Sequence, residues 1–206
     1  MTSTPRGSWK EAQKAELGWW VAAIAAKYPS RKEFARARLS EGTIRLGAHF
    51  GVPSIGGRLL DVGCSPVSVH EGREEVEVVA IDPLLDAFCE NVPNFARKGR
   101  VANVEYRCCR IQDVQDDPFD VVWCVNVLDH TDDWQDIIQH FGRLAKDLLL
   151  VGVDVRHGEL DSPCHISIIT ERELLGAIEG AGFVVEWHTP IHEEIDRYYF
   201  CVRAYK

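Results

Sequence analysis

The sequence has no apolar run long enough to cross a bilayer and no signal-peptide pattern, so a membrane protein is not expected and a cytoplasmic location is. Its seven cysteines, at positions 64, 89, 108, 109, 124, 164 and 201, form no C-x-x-C pair and no zinc-like spacing. Most of them sit inside apolar runs, as small core residues do, which points to a reducing compartment and no assigned metal. The adjacent Cys108-Cys109 reads either as a thiol site for a soft metal or as ordinary third-strand sequence. A zinc set of Cys164, His165 and Asp154 can be sketched, but no spacing demands it.

Positive charge is also in short supply. Lys and Arg number 23 against 32 Asp and Glu, a net charge of −9, where a nucleic-acid enzyme would carry a basic face. This argues against DNA or RNA as partner, although a local patch stays open. No repeat or low-complexity linker interrupts the 206 residues, so one domain with a sizeable core is expected. It divides into an N-terminal helical cap over 1–50 and a core over 58–206.

The informative stretch is Gly56–Asp82. An apolar run, Arg58–Val62, reaches a glycine-bearing turn, Gly63-Cys64-Ser65-Pro66. A second run, Val76–Ile81, stops on Asp82. Continuous Val/Ile/Leu runs of this kind mark parallel strands covered on both faces and joined by a crossover. An acid at the tip of the second strand lies where nucleoside-binding folds reach the ribose hydroxyls.

These residues resemble the AdoMet-dependent methyltransferases of the Rossmann-like class. That family has a first motif of the form [DE]-x-G-x-G-x-G, an acid ending strand two, and an F-D-x-V strand four. The matches are Asp61–Val67, Asp82, and Phe119-Asp120-Val121-Val122 running on to Asn126-Val127-Leu128-Asp129-His130. The resemblance covers about Arg58 to Trp187. It implies an α/β fold, a three-layer sandwich around a seven-stranded, mostly parallel sheet whose last strand is antiparallel, with S-adenosyl-L-methionine as cofactor. It assigns Asp61, Gly63, Cys64 and Ser65 to the cofactor loop and Asp82 to the ribose. Ile111, Gln112 and Asp113 fall to the adenine, and Asn126 lies beneath the sulfonium. Ser65 and Val67 stand where the family usually has its second and third glycines. The bulk of Val67 implies a ligand that passes the loop at another angle, or binding weakened or lost.

Around this frame the chain reads in order. Residues 1–7 form a disordered lead-in. Ser8 with Glu11 makes a capping box for a helix to about Lys27, which Pro29 breaks. Ser30 with Glu33 opens a second helix, interrupted near Gly42 and resuming to Phe50. The aromatic stripe Trp9, Trp19, Trp20 is either a lid over the acceptor or a face packed on the sheet. A helix starts near Pro83–Phe88, a third strand covers Val101–Cys109, and a fourth covers Phe119–Val127. Asp132 or Asp133 caps a helix carrying Trp134, Ile137, Ile138 and Phe141, and Leu148–Asp154 makes strand five. Arg156–Ser167 is an irregular loop of the kind that gathers binding residues. Thr170 with Glu173 caps a helix to about Ala181, ended by Gly182. Phe183–Trp187 and Tyr198–Tyr205 close the sheet, joined by a polar loop containing His192.

Transfer from a sulfonium is an in-line displacement in which alignment supplies most of the acceleration. A base helps when the acceptor is a hydroxyl or a protonated amine, and histidine titrates in the right range. His130 and His165 lie on carboxyl-edge loops and are the candidates, with Asp129 orienting His130 or holding the acceptor. His49, His70, His140, His157, His188 and His192 read as surface or capping residues. The expectation is O- or N-methylation of a small molecule. Its rivals are a methyltransferase-like binding or regulatory protein without catalysis, a nucleic-acid methyltransferase, and a nicotinamide dehydrogenase. The last is poorly served by one glycine of the three in G-x-G-x-x-G.

Overall fold

The computed structural model describes residues 8–28, 30–42, 55–156, 163–194 and 197–206. The expected lead-in, the break at Pro29, the continuation toward Phe50 with His49, and the centre of the Arg156–Ser167 loop with His157 lie outside them. So do the side chains of Asp154, His188 and His192. No described helix is long and apolar enough to cross a membrane. The fold is α/β, with a mostly parallel sheet of eight strands rather than the expected seven, and its chain forms two compact units, Glu16–Gln115 and Met1–Ala15 with Asp116–Lys206.

The unit Glu16–Gln115 contains most of α1 (Trp9–Lys27), α2 (Arg31–Gly42), β1 (Gly57–Val62), β2 (Val76–Ile81), α3 (Leu85–Asn91), β3 (Gly99–Val101) and β4 (Val104–Arg107), with strand order β3-β4-β2-β1. The Ser8 capping box forms, with the Glu11 N–H donating to Ser8 Oγ at 3.3 Å and the Ser8 N–H to Glu11 at 3.2 Å; at Ser30 the Glu33 N–H donates to Oγ at 3.3 Å and the hydroxyl donates to Glu33 at 2.9 Å. β1 and β2 pair in parallel with Val62 opposite Ile81, and β2 pairs in parallel with β4, Ile81 opposite Arg107. Three neighbouring strands therefore release their carboxyl ends side by side.

The expected third strand, Val101–Cys109, is corrected to a short antiparallel hairpin of β3 and β4, and β4 stops at Arg107. Ala102 adopts φ 51° at the turn. Asn103 beside it accepts the Gly72 N–H and donates to the carbonyls of His70, Arg73 and Val76. The hairpin thus pins the crossover that connects β1 to β2.

The helical cap has an apolar reason to sit where it does. Trp20 and Ile24 of α1, Phe34 of α2, Phe88 and Val92 of α3, Phe95 and Val67 form one buried cluster. Phe34 meets Trp20 and Phe95 edge to face, with ring centroids 5.7 and 6.0 Å apart. Trp20 is core, whereas Trp19 is 57% exposed.

The other unit holds β5 (Phe119–Val125), α4 (Trp134–Leu144), β6 (Ala145–Arg156), α5 (Glu171–Gly180), β7 (Val184–Glu194) and β8 (Arg197–Tyr205), with strand order β5-β6-β8-β7. β5 and β6 are parallel, and β8 runs antiparallel to both β6 and β7. The fourth strand ends two residues earlier than expected because Asn126 turns to φ 61°. α4 buries Trp134, Ile137, Ile138, Phe141 and Leu144, one helical face. Asp133 holds its N-cap position, but without the expected side-chain capping bond. Thr170 and Glu173 do form their capping box, and Gly182 takes φ 90° beyond the end of α5. The expected polar loop around His192 is instead paired strand, His192 opposite Tyr199 and Glu194 opposite Arg197. A register shift between Pro190 and His192 absorbs the proline, which has no N–H to give the ladder.

Candidate functional site

In the unit Glu16–Gln115 the chemistry gathers at the carboxyl ends of β1, β2 and β4. The Gly63 and Cys64 N–H groups both donate to the Ile81 carbonyl, at 2.9 and 3.1 Å, folding the loop back over β2. Gly63 sits at φ 71° and Ser65 at φ 57°. Serine thus holds the left-handed backbone that glycine adopts freely, so the loop keeps its turn at some conformational cost. Val67 is 1% exposed, its bulk taken up by the cluster with Trp20, Phe34 and Phe88.

Asp82 closes this loop. Its Oδ2 accepts the Ser65 N–H at 2.9 Å, and its Oδ1 accepts the Leu84 N–H at 2.8 Å. The residue is 8% exposed. Burial first, then the charge of Glu16, push its carboxyl up from 3.8 to about 7, against the pull of the two N–H groups. Each carboxylate oxygen can accept a second hydrogen bond, so Asp82 is an acceptor held in place and undersupplied with donors for its charged form.

Asp61 is also buried and orders the loop from below: its Oδ2 accepts the Ser68 hydroxyl at 2.6 Å, and Ser68 Oγ accepts the His70 N–H at 3.1 Å. Cys64 is buried, and burial pushes its thiol well up, followed by the charges of Asp82 and Asp61, so it is a poor nucleophile. Beyond β4, Ile111–Asp113 forms a single 3-10 turn, and Asp113 Oδ2 accepts the Arg110 N–H at 3.3 Å, closing it. Ile111 is buried while Asp113 is exposed. Cys108 and Cys109 follow β4 as reduced cysteines rather than lying within a strand.

His70 is corrected from a surface residue to a buried one, 0% exposed, and burial with the Arg73 charge lowers it to about 3. It is a neutral part of the core. His140 does lie toward the surface, 3.5 Å from Asp136 one turn away.

Sequence reasoning did not find the brace that ties α2 to this loop. The Arg31 guanidinium donates to both carboxylate oxygens of Glu71 and lies over the Tyr106 ring, 5.1 Å from its centroid. The Tyr106 hydroxyl in turn donates to Glu71 and accepts the Ser68 N–H at 3.1 Å. Arg31 and Glu71 are 40 residues apart, and no spacing rule connects them. Glu16 on α1, whose charge reaches Asp82, carries no such signal in the sequence either.

In the other unit the residues expected to be catalytic do come together. Asn126 ends β5, and a 3-10 turn, Leu128–His130, follows. The Asp129 carbonyl accepts the N–H groups of Ile166 and Ser167 at 2.9 and 3.1 Å, and Ser167 Oγ donates to the Thr131 carbonyl at 2.5 Å. These bonds stitch the segment after β6 to the turn after β5 and set His165 edge to face against His130, ring centroids 4.6 Å apart. Asp129 Oδ2 lies 3.9 Å from His130 Nε2 and 3.6 Å from His165 Nε2, and Asn126 Nδ2 is 3.4 Å from His130 Nε2. Asp129 and His130 are buried, and the His165 side chain is 11% exposed. Cys164 precedes this cluster as a reduced, half-buried cysteine.

The chain is similar to known proteins. A family profile described as a methyltransferase domain matches residues 31–187. A ubiquinone biosynthesis O-methyltransferase from Neisseria meningitidis serogroup A / serotype 4A is 33% identical over 97 residues, covering 44% of this chain and 40% of that protein. The matched segment therefore spans less than half of the curated relative's length. Among solved structures, the Burkholderia thailandensis 1,6-didemethyltoxoflavin-N1-methyltransferase, with bound 1,6-didemethyltoxoflavin and S-adenosylhomocysteine, superimposes with a TM-score of 0.61 at 15% identity, covering 100% of this chain and 93% of that one. The magnesium protoporphyrin IX methyltransferase from Synechocystis PCC 6803, with bound SAM, gives a TM-score of 0.63 at 12% identity, covering 99% and 100%. At such identities the structural likeness concerns the fold.

Proposed function

The chain belongs to the methyltransferase-domain family, and from that premise we propose that it is a single AdoMet-dependent domain that methylates a small-molecule acceptor at oxygen or nitrogen in the cytoplasm. The observation that carries this reading is Asp82: a carboxylate at the tip of β2, buried, fixed by two loop N–H groups, and short of donors. A ribose diol supplies two O–H donors at such an acceptor, so the residues present fit the cofactor. Gly63 lets backbone approach the ligand, and Asp61 with Ser68 keeps the loop in shape. The Ile111–Asp113 turn takes the adenine edge, and Asn126 belongs to the cofactor's sulfonium end.

Bound AdoMet supplies a methyl group on a positively charged sulfur. The chain's own residues position it and manage the acceptor's proton. As the new bond to the acceptor atom forms and the carbon–sulfur bond breaks, the acceptor loses its proton. Asp129, His130 and His165 are the groups assigned to receive or release it, a contribution of about 10²–10⁴-fold. The name of the curated relative favours oxygen as the accepting atom. The rival without catalysis drew on Ser65 and Val67, yet the first keeps the glycine-like backbone and the second is absorbed by the core.

The test is calorimetry with AdoMet, followed by incubation with methyl-labelled AdoMet and fractionated small-molecule extracts. One-site binding and label in a small-molecule fraction are expected. An absence of binding at millimolar AdoMet contradicts the proposal and favours the binding-module reading.

A further inference from the structure

Asp129 stands out as a buried charge without hydrogen-bonded compensation. Its side chain is 0% exposed, and neither carboxylate oxygen has a hydrogen-bond partner among the described residues. Burying a carboxylate in this state is costly, and a fold keeps one when a cation or a strong donor meets it. What faces Oδ2 is a pair of imidazole nitrogens, His165 Nε2 at 3.6 Å and His130 Nε2 at 3.9 Å. Both distances are too long for hydrogen bonds. One ligand atom from each of the three residues falls in a group less than 4.8 Å across. Ligands about 2.0–2.2 Å from a common metal ion lie about 3–3.5 Å from one another, so the two carboxylate–imidazole distances must shorten by up to about 0.9 Å, with the imidazoles turning to follow, for the set to close.

We propose that Asp129, His130 and His165 form a site for a divalent transition-metal cation, with zinc(II) or iron(II) the natural class for two imidazoles and one carboxylate. The scaffold suits a built site. The Asp129 carbonyl holds the chain at Ile166 and Ser167, Ser167 reaches the Thr131 carbonyl, and the Thr131 hydroxyl donates to the Leu128 carbonyl at 2.9 Å. His165 is thereby fixed opposite His130 by backbone bonds that do not depend on the metal. Three protein ligands leave coordination positions open, as catalytic rather than structural sites do.

The inference deepens the reading of this cluster as the acceptor's side of the reaction, and it rests on that reading. An acceptor hydroxyl that enters an open position loses its proton to solvent more readily, because the cation stabilises the oxyanion. The O–H bond breaks, oxygen stays on the cation, and the histidines serve as ligands instead of bases.

The experiment uses the full chain, stripped with EDTA and dialysed, then titrated with ZnCl2 by calorimetry and with CoCl2 by visible absorption. One cation per chain and cobalt d–d bands of nitrogen and oxygen ligation are expected. Loss of even an outer-sphere partner weakens a metal site 10–100-fold. His165→Ala and Asp129→Asn should therefore each weaken binding roughly 100-fold or more, with circular dichroism reporting their folding. His140→Ala, half-buried on α4 and outside the set, should not weaken it. No heat and no cobalt spectrum for the wild type overturns the proposal, and so does binding undiminished in His165→Ala, the variant on the loop segment least able to disturb folding. AdoHcy calorimetry on the same samples separates the two readings. Protein that binds AdoHcy but no cation overturns only the metal site, and protein that binds the cation but no AdoHcy overturns only the cofactor assignment.

Discussion

Replacing Asp82 by asparagine tests whether a buried carboxylate is being held ready for a ligand. Its folded value of about 7 stands above the ordinary 3.8. A group raised in this way favours the folded state when protonated. Its contribution is fully present below 3.8 and is lost as pH rises through about 7. Between pH 5 and pH 8 the wild type should therefore lose about 2.5 kcal/mol of stability through this one side chain. Asparagine keeps the shape and cannot ionise, so its own stability lacks that slope. It offers one carbonyl to the two N–H groups of Ser65 and Leu84, as the protonated acid does. Relative to the wild type, Asp82→Asn should thus gain about 2.5 kcal/mol between pH 5 and pH 8, close to neutral at the first and stabilising at the second. Urea unfolding of both proteins at the two pH values measures this. An equal difference at both would refute the reasoning. In the wild type, AdoHcy affinity should rise with pH up to about 7 and then level, because ribose donors favour the ionised acid. Asp82→Asn should weaken AdoHcy by about 1–3 kcal/mol above that pH.

Gly142→Ala should destabilise by about 1–3 kcal/mol in thermal or urea unfolding, because the added Cβ would lie 2.6 Å from the Ala181 carbonyl oxygen. Gly176→Ala, on α5 with nothing within 4 Å, should instead stabilise by about 0.5–1 kcal/mol. Thr170→Ala removes the acceptor of the Glu173 N–H and should cost about 1 kcal/mol in the same assay. His130→Ala should lower turnover by roughly 10²–10⁴-fold with AdoMet affinity nearly intact; loss of both together would make His130 a structural residue.

Much of the sheet was readable because β1, β2 and β5 are mostly buried on both faces and write themselves as near-continuous apolar runs. Three helix starts were readable too, since Ser8, Ser30 and Thr170 each stand three residues before a glutamate and hydrogen-bond to it. The misses share a cause. β3 is three residues long, the turn at Ala102 carries no glycine, and Asn126 leaves β5 through a left-handed conformation that a side chain rarely adopts. Nothing in periodicity announces these. The extension of β7 was hidden by Pro190 and a run of polar residues, which turn rules assign to a loop.

At the candidate site, Asp82 and the Gly63 loop were readable because strand ends and turns are local. The contact of His165 was not: it joins His130 and Asp129 as a candidate only because it falls on a carboxyl-edge loop, and it is the bonds from Ile166 and Ser167 to the Asp129 carbonyl that set it beside them. The Arg31–Glu71–Tyr106 brace is likewise a long-range contact whose members look like ordinary surface charges in one dimension.

The most direct test of the account is a crystal structure of the chain with AdoHcy. It should show the ribose hydroxyls within hydrogen-bond distance of Asp82 Oδ1 and Oδ2, above the Gly63 turn. AdoHcy bound elsewhere, or ribose hydroxyls that do not meet Asp82, would contradict it.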